Sequence, residues 1–314
     1  RNIKVYLKLF SLLKSNTEIE KIAIESKFID ISNLKKILSK MKPSNLNSFI
    51  LNRVKNGQLR VNLELFFDEK IDIKNFIAKG EVEKLEISLF DNIQLNNTNF
   101  NFFADNSDVL IKDISSETKG VKLNEGNLQL QKVNEDLKIK LDIISKVEVN
   151  QNFLKKLPIF QKVKLSLNEI RLNGKLNHNL AIFFDKTYKI QEYYYSIKAE
   201  IKELILQPDS FSSYLLDEKI ERISFKNSKL DLKYSSGKKN TISSTGKYKS
   251  NNNSYVNYDI ETEFNRDNLK ANLDLEIAEN VNLNIINYTK KKGIIANFST
   301  ILKKNKNKII FEKI

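Results

Sequence analysis

The sequence predicts a mainly β protein, an antiparallel meander with a few short inserted helices, and three observations carry that reading. Apolar residues fall on every second position through most of the chain, as in Leu59, Val61, Leu63, Leu65, Phe67 and in Leu269, Ala271, Leu273, Leu275, Ile277. That is the period of a strand with one buried face. Turn-forming clusters punctuate the runs: NNTN at 96–99, ADNSD at 104–108, SSGKKN at 235–240 and KSNNNS at 249–254. Adjacent strands therefore pair as antiparallel hairpins. With three prolines and eight glycines in 314 residues, no flexible linker divides the chain.

In order, Val5, Leu7, Leu9 and then Ile22, Ile24 read as strands that end a preceding β segment over 1–31. Ser32 is placed to cap a helix whose face carries Leu34, Ile37, Leu38 and Met41, and Pro43 ends it. Leu46, Phe49, Ile50 and Val54 keep helical spacing, and Gly57 follows as a stop. A helical hairpin over 32–56 is the result, read as a structural cap on the sheet in preference to a moving lid. Alternation then runs through Leu85, Ile87, Leu89; Ile93, Leu95; Phe100, Phe102; Val109, Ile111; Val121, Leu123; and Leu128, Leu130.

Beyond Leu137 to Ile143 the reading places a bulge near Ile143 to Ser145. NFLKKLPIF at 152–160 reads as a short amphipathic turn, and Val163, Leu165, Leu167 resume the sheet, with a second phase slip near Asn168. Gly174 is assigned to a bend between strands. PDSFSSYLL at 208–216 reads as one more short helix, and from Ile223 onward the alternation is the most regular in the chain, ending with Val281, Leu283, Ile285 and the last basic stretches.

The order LSKMKPSNLNSFILNRVKNGQLRVNLELFFDE, then KGEVEKLEISLFDNIQLNNTNFNFFADNSDVLIKDISSETKGVKLNEGNLQLQ, resembles the periplasmic region of YhdP-type proteins in the AsmA-like superfamily, relatives of TamB. SKVEVNQNFLKKLPIFQKVKLSLNEIRLNGKLNHNLAIFF is similar to the segment that follows in that family. The resemblance covers roughly residues 20 to 206 and rests on element order and glycine placement. It implies an inner-membrane-anchored, elongated β protein of a Gram-negative envelope that carries phospholipid between the membranes, contributing to outer membrane biogenesis. It gives the division 1–31, 32–206 for the YhdP/AsmA-like region and 207–314 for a continuing meander. Because the chain begins with Arg1, it is read as a piece of a longer protein whose anchor lies upstream.

The remaining chemistry points away from catalysis. There is no cysteine, and the single histidine, His178, lies between asparagines and is read as a surface residue on the polar phase of its strand. A transition-metal site would need an all-carboxylate shell. No G-x-S-x-G, P-loop or G-x-G-x-x-G occurs, so no enzyme, cofactor or metal is expected. The net charge of +14 invites a nucleic-acid reading, but the lysines alternate with apolar residues, as on a solvated sheet face. Tyr193, Tyr194 and Tyr195 suggest either a membrane-interface or carbohydrate site or, preferred here, cross-strand packing.

Roughly eighteen strands of this kind allow a closed barrel, a sandwich or a long curled sheet. The resemblance selects the third, an elongated, curled antiparallel sheet with an open apolar groove. The candidate lining is Leu59, Val61, Leu63, Leu65, Phe67, Leu85, Ile87, Leu89, Leu128, Leu130, Leu165, Leu167, Leu269, Leu273, Leu275 and Leu283. The expected occupants are phospholipid acyl chains, the expected location is the periplasm, and envelope protein partners are expected at the membranes. The alternative is a non-enzymatic β-rich scaffold of the cell envelope whose apolar face is filled by protein.

Overall fold

The computed structural model describes residues 2–8, 18–90, 93–134, 136–154, 167–187, 189–208, 219–237, 239–265, 268–283, 288–305 and 308–313. Among the described residues the protein is mainly β, with one long antiparallel sheet that is not closed and three short helices. Its backbone divides into two compact units, 1–118 with 122–143 and 181–191, and 119–121 with 144–180 and 192–314.

In the first unit the chain forms β1 (Asn2–Leu7), β2 (Ile19–Glu25), β3 (Ile29–Asp30), α1 (Ile31–Leu38), α2 (Asn45–Arg53), β4 (Gln58–Phe67), β5 (Ile73–Phe90), β6 (Ile93–Ala104) and β7 (Asp108–Thr118). β8 (Val121–Val133) and β9 (Asp136–Asn150) follow. β1 pairs with β2, β2 and β3 with β4, and each later strand up to β7 with the next, all antiparallel. α1 starts one residue before the expected cap: Asp30 is its N-cap, without a side-chain hydrogen bond, and Ser32 is already inside the helix. α2 starts as its sequence suggests, with the Ser44 hydroxyl accepting from the Asn47 amide. Lys35 of α1 donates to the carbonyls of Leu51 and Val54, which ties the end of α2 to its neighbour.

Several segments read as separate strands are single long ones. NNTN is not a turn but the middle of β6, where Asn97 adopts a left-handed φ of 48°. Lys84 in β5 (φ 52°) and Asp113 in β7 (φ 57°) do the same, and the pairing register shifts at each of the three. These are β-bulges, which add one residue, restore the apolar phase beyond it and increase twist. Asn99 holds two of them, accepting from the Lys84 amide at 2.9 Å and donating to the Asn97 carbonyl at 2.8 Å, while Asn101 donates to Asp113 at 3.1 Å. ADNSD is a true turn, closed by Asp105 accepting from the Ser107 and Asp108 amides. Those bonds stabilise the carboxylate and lower the Asp105 pKa.

β9 runs from Asp136 to Asn150, and its alternation keeps one phase from Leu137 through Ile143 to Val149, without the phase change that the bulge expected at Ile143 to Ser145 would explain. Ile143, Ser145, Val147 and Val149 share one phase, in which Ser145 is a polar residue at an apolar-phase position. α3 (Gln151–Leu154) covers the start of the predicted amphipathic turn. The slip near Asn168 involves Val163 and Leu165, and these, like the helix read over 208–216 beyond Pro208, lie outside the described residues. Gly174 is not at a bend but within β10 (Leu167–Phe184), where a Cβ would meet the Glu200 carbonyl at 2.7 Å.

The second unit continues with β11 (Ile190–Pro208), β12 (Ile223–Ser235), β13 (Asn240–Ser250), β14 (Val256–Phe264) and β15 (Asn268–Ile277). β16 (Val281–Leu283), β17 (Tyr288–Lys290), β18 (Ala296–Asn305) and β19 (Lys308–Lys313) complete it. β11 to β15 pair consecutively, β15 pairs with β18 and β18 with β19. β16 and β17 form a separate two-stranded sheet. A further bulge sits at Asn227 (φ 50°) in β12.

Candidate functional site

Side chains of directly opposed residues in an antiparallel pair point to the same face, so the registers define each face of each unit. In the first unit Val5 lies opposite Ile22 and Ile3 opposite Ile24, and these two isoleucines lie opposite Leu65 and Leu63. Leu65, Leu63, Val61 and Leu59 in turn face Phe76, Ala78, Gly80 and Val82. The row continues through Ala104, Phe102 and Phe100 to Val109 and Ile111. Six strands thus share one apolar face. Gly80 is required there, because a Cβ would stand 2.1 Å from the Arg60 carbonyl and 2.8 Å from the Phe102 ring.

The opposite face of the same strands is charged. Lys21 pairs with Glu64 at 3.2 Å, Arg60 with Glu81 at 2.5 Å, and Lys79 lies over the Phe103 ring.

α1 and α2 cover one end of the apolar face. Ile31, Val54, Val82 and Leu85 are buried together, with Leu34, Ile50, Leu59, Ile87, Phe100 and Phe102 packed against them. Away from the helices Ile22, Ile24, Val61, Leu63, Leu65, Phe67, Phe76 and Ala78 are only half-buried, and Ile3 and Val5 keep 70% and 53% of their surface exposed. Of the predicted lining, Val61, Leu63, Leu65 and Phe67 therefore lie on the uncovered part, whereas Leu59, Leu85 and Ile87 belong to the core beneath the helices. Ile37 on α1 and Phe49 on α2, read as part of the apolar helical faces, are exposed, as is Met41 beyond the end of α1. Leu128 and Leu130 are half-buried and share a phase with Gly126, which packs against Ile114 and Ile143. Leu89 is the last residue but one of β5.

In the second unit the same reasoning gathers Ile197, Ala199 and Ile201 with Leu232, Leu230 and Ser228. Ile242, Ser244, Thr262 and Ile260 follow, and then Ala271, Leu273, Leu275, Leu302, Thr300 and Phe298. Leu269, Leu273 and Leu275 are half-buried on this face. Leu283 is not in the long sheet but in the small β16–β17 pair, because the chain leaves β15 before reaching it. Leu165 lies outside the described residues, and Leu167 begins β10. A concavity of about 500 Å³ opens on the other, polar face of this unit, among Lys175, Lys198, Glu200, Lys229 and Asp231.

Two polar groupings interrupt the apolar face of the second unit. The Ser244 and Tyr258 hydroxyls are 2.9 Å apart, with Tyr258 stacked edge-on against Phe225 and Tyr248. His178 bonds Ser145 through Nε2 at 3.1 Å and the Tyr195 hydroxyl through Nδ1 at 3.0 Å, linking β9, β10 and β11. His178 is thus not a surface histidine on the polar phase: it shares the phase of Ile170, Leu172 and Leu176, and burial pushes its pKa down and that of Tyr195 up. A serine bonded to a histidine is the beginning of a nucleophile–base pair. Ser145 is closed off at 2% exposure, which keeps a substrate from its hydroxyl.

Among the described residues no cluster of three histidine, cysteine, aspartate or glutamate side chains could hold a metal ion, and no helix is long and apolar enough to cross a membrane. No family model, curated protein or solved structure matches the chain.

Proposed function

We propose that this chain is a lipid-binding segment of an AsmA-like envelope protein, carrying phospholipid acyl chains along the apolar faces of its sheet between the inner and outer membranes, without enzymatic chemistry. The observation that supports this reading is the division of faces in the first unit, where six strands line up apolar residues on one side and charged pairs on the other. A sixteen-carbon acyl chain leaving a bilayer for water loses on the order of 12 kcal/mol, about 0.8 kcal/mol per methylene. A row of half-buried Ile, Leu and Phe side chains offsets much of that while the headgroup stays in water. Contiguous apolar surface left accessible on a sheet face usually marks a binding site.

The test is transfer of fluorescent phospholipid between donor and acceptor vesicles, with released fatty acid assayed in the same samples. Transfer without hydrolysis supports the proposal; no transfer, or detectable fatty acid, counts against it. The scaffold reading draws on the cluster beneath α1 and α2, which is apolar sheet already filled by protein. It requires the remaining face to bind a protein and not lipid, and predicts no transfer.

A further inference from the structure

The tyrosines at 193–195 carry an inference that does not depend on lipid running along the apolar face. On that face Tyr193 stacks on Tyr234 at 5.7 Å between centroids, and Tyr234 on Phe264 at 6.5 Å, forming a row of rings across one end of β11, β12 and β14. Cross-strand packing accounts for this row. It does not account for Tyr194, which points to the polar face beside Ser235 and is 41% exposed, nor for Tyr234 keeping 40% exposure.

Lysines accompany the rings on both faces at the same end. Lys233 lies opposite Thr241, Thr241 opposite Glu263, Glu263 opposite Lys270 and Lys270 directly opposite Lys303, a like-charge pair in adjacent strands. On the apolar face the last position of β18 in phase with Phe298 and Leu302 is Lys304, exposed and opposite Leu269. Among the described residues at this end, Asp231 pairs with Lys233, Glu263 with Lys239 and Glu312 with Lys303, and Glu192 lies exposed in phase with Tyr194. Solvent-exposed pairs of this kind contribute little and leave the excess of lysine in place.

The opposite end of the same strands differs. Its aromatic residues Phe225, Tyr248 and Tyr258 pack on one another, and two of its lysines, Lys226 and Lys249, lie over the Tyr255 ring.

Rings on both faces at one depth, with lysines around them, match the demands of a bilayer interface: aromatic groups sit at headgroup level and lysines pair with anionic phosphates. We propose that this end of β11–β15 and β18 docks on the surface of an anionic lipid bilayer, with Tyr194 and Tyr234 in the headgroup region. The positive charge selects an anionic surface, and the placement of rings on both faces selects a bilayer over a single lipid on the apolar face.

The sequence contains no tryptophan, so one introduced residue reports its own surroundings. Tyr194→Trp, Tyr234→Trp and Tyr255→Trp would each be mixed with vesicles of phosphatidylcholine plus phosphatidylglycerol, and with phosphatidylcholine alone. The expected result is a blue shift for residues 194 and 234 with the anionic vesicles only, reversed by salt, and no shift at 255. Lys270→Glu combined with Lys304→Glu should weaken vesicle partitioning by about 25-fold or more, at about fivefold per lysine. A shift at 234 without one at 194 overturns docking, since a single lipid on the apolar face explains it. Equal shifts at all three positions, or none, also overturn it. Tyr194 is exposed, so its variant keeps the test standing if Tyr234→Trp disturbs the ring stack.

Discussion

Replacing Leu63 with aspartate separates lipid binding from folding. Leu63 is half-buried near the middle of the first unit's apolar face, opposite Ile24 on one side and Ala78 on the other. Its diagonal neighbours Ile22, Phe76 and Gly80 are also without charge, so an aspartate there has no cation to pair with. In the free protein the carboxylate remains hydrated, and the cost is the half-buried leucine, about 1 kcal/mol. That is small against the roughly 5–15 kcal/mol that holds a domain together. With an acyl chain seated over it the same carboxylate is desolvated and unpaired, which costs several kcal/mol. Taking about 3 kcal/mol, affinity for a fluorescent acyl probe should fall by more than 100-fold. The control is Asn62→Asp, one residue away on the polar face and exposed, which should bind like the parent. Titration of both variants, with circular dichroism to confirm an intact sheet, decides the matter. Equal affinities in two folded variants would refute the assignment of this face.

Three further outcomes follow from other parts of the fold. Burial depresses the His178 pKa, so on acidification the unfolded chain takes up the proton first: the contribution is fully present above about pH 6.5 and lost as pH falls through the folded-state value. Thermal melts should show a midpoint falling from neutral to mildly acidic pH, and His178→Gln should flatten that slope. Leu85→Ala empties a site buried with Ile31, Val54 and Val82 and should cost about 2–5 kcal/mol in urea unfolding, whereas Phe49→Ala on the exposed side of α2 should cost well under half as much. Asn97 occupies a left-handed conformation, so Asn97→Val should destabilise by about 1–3 kcal/mol and Asn97→Gly by much less, measured the same way.

The strands were legible because alternation directly encodes which side chains share a face, and the paired glycine and ring at Gly80 and Phe102 left that alternation intact. The bulges were not legible. An asparagine in left-handed conformation serves a turn and a bulge equally well, and only the partner strand shows that Asn97 continues β6. His178 was misread because Asn177 and Asn179 make its surroundings look polar, whereas its own phase is set by Leu172 and Leu176. Ser145 gave no signal, since its place in the apolar phase depends on a histidine 33 residues away. The helical hairpin was visible from its spacing, but which of its apolar residues point inward depended on how it seats on Leu59 and Val82. Leu283 continued the alternation and yet left the sheet, because period alone does not specify a strand's neighbour.

The account depends on acyl chains touching the apolar faces and not the polar ones, and neighbouring residues on one strand test that directly. Photo-crosslinking side chains placed at Leu63 and Asn62, and separately at Leu273 and Asp274, would be irradiated with phospholipid present and the adducts weighed by mass spectrometry. Lipid adducts at Leu63 and Leu273, with none at Asn62 and Asp274, are the result the account predicts. Equal capture within each pair, or capture on the polar face alone, would contradict it.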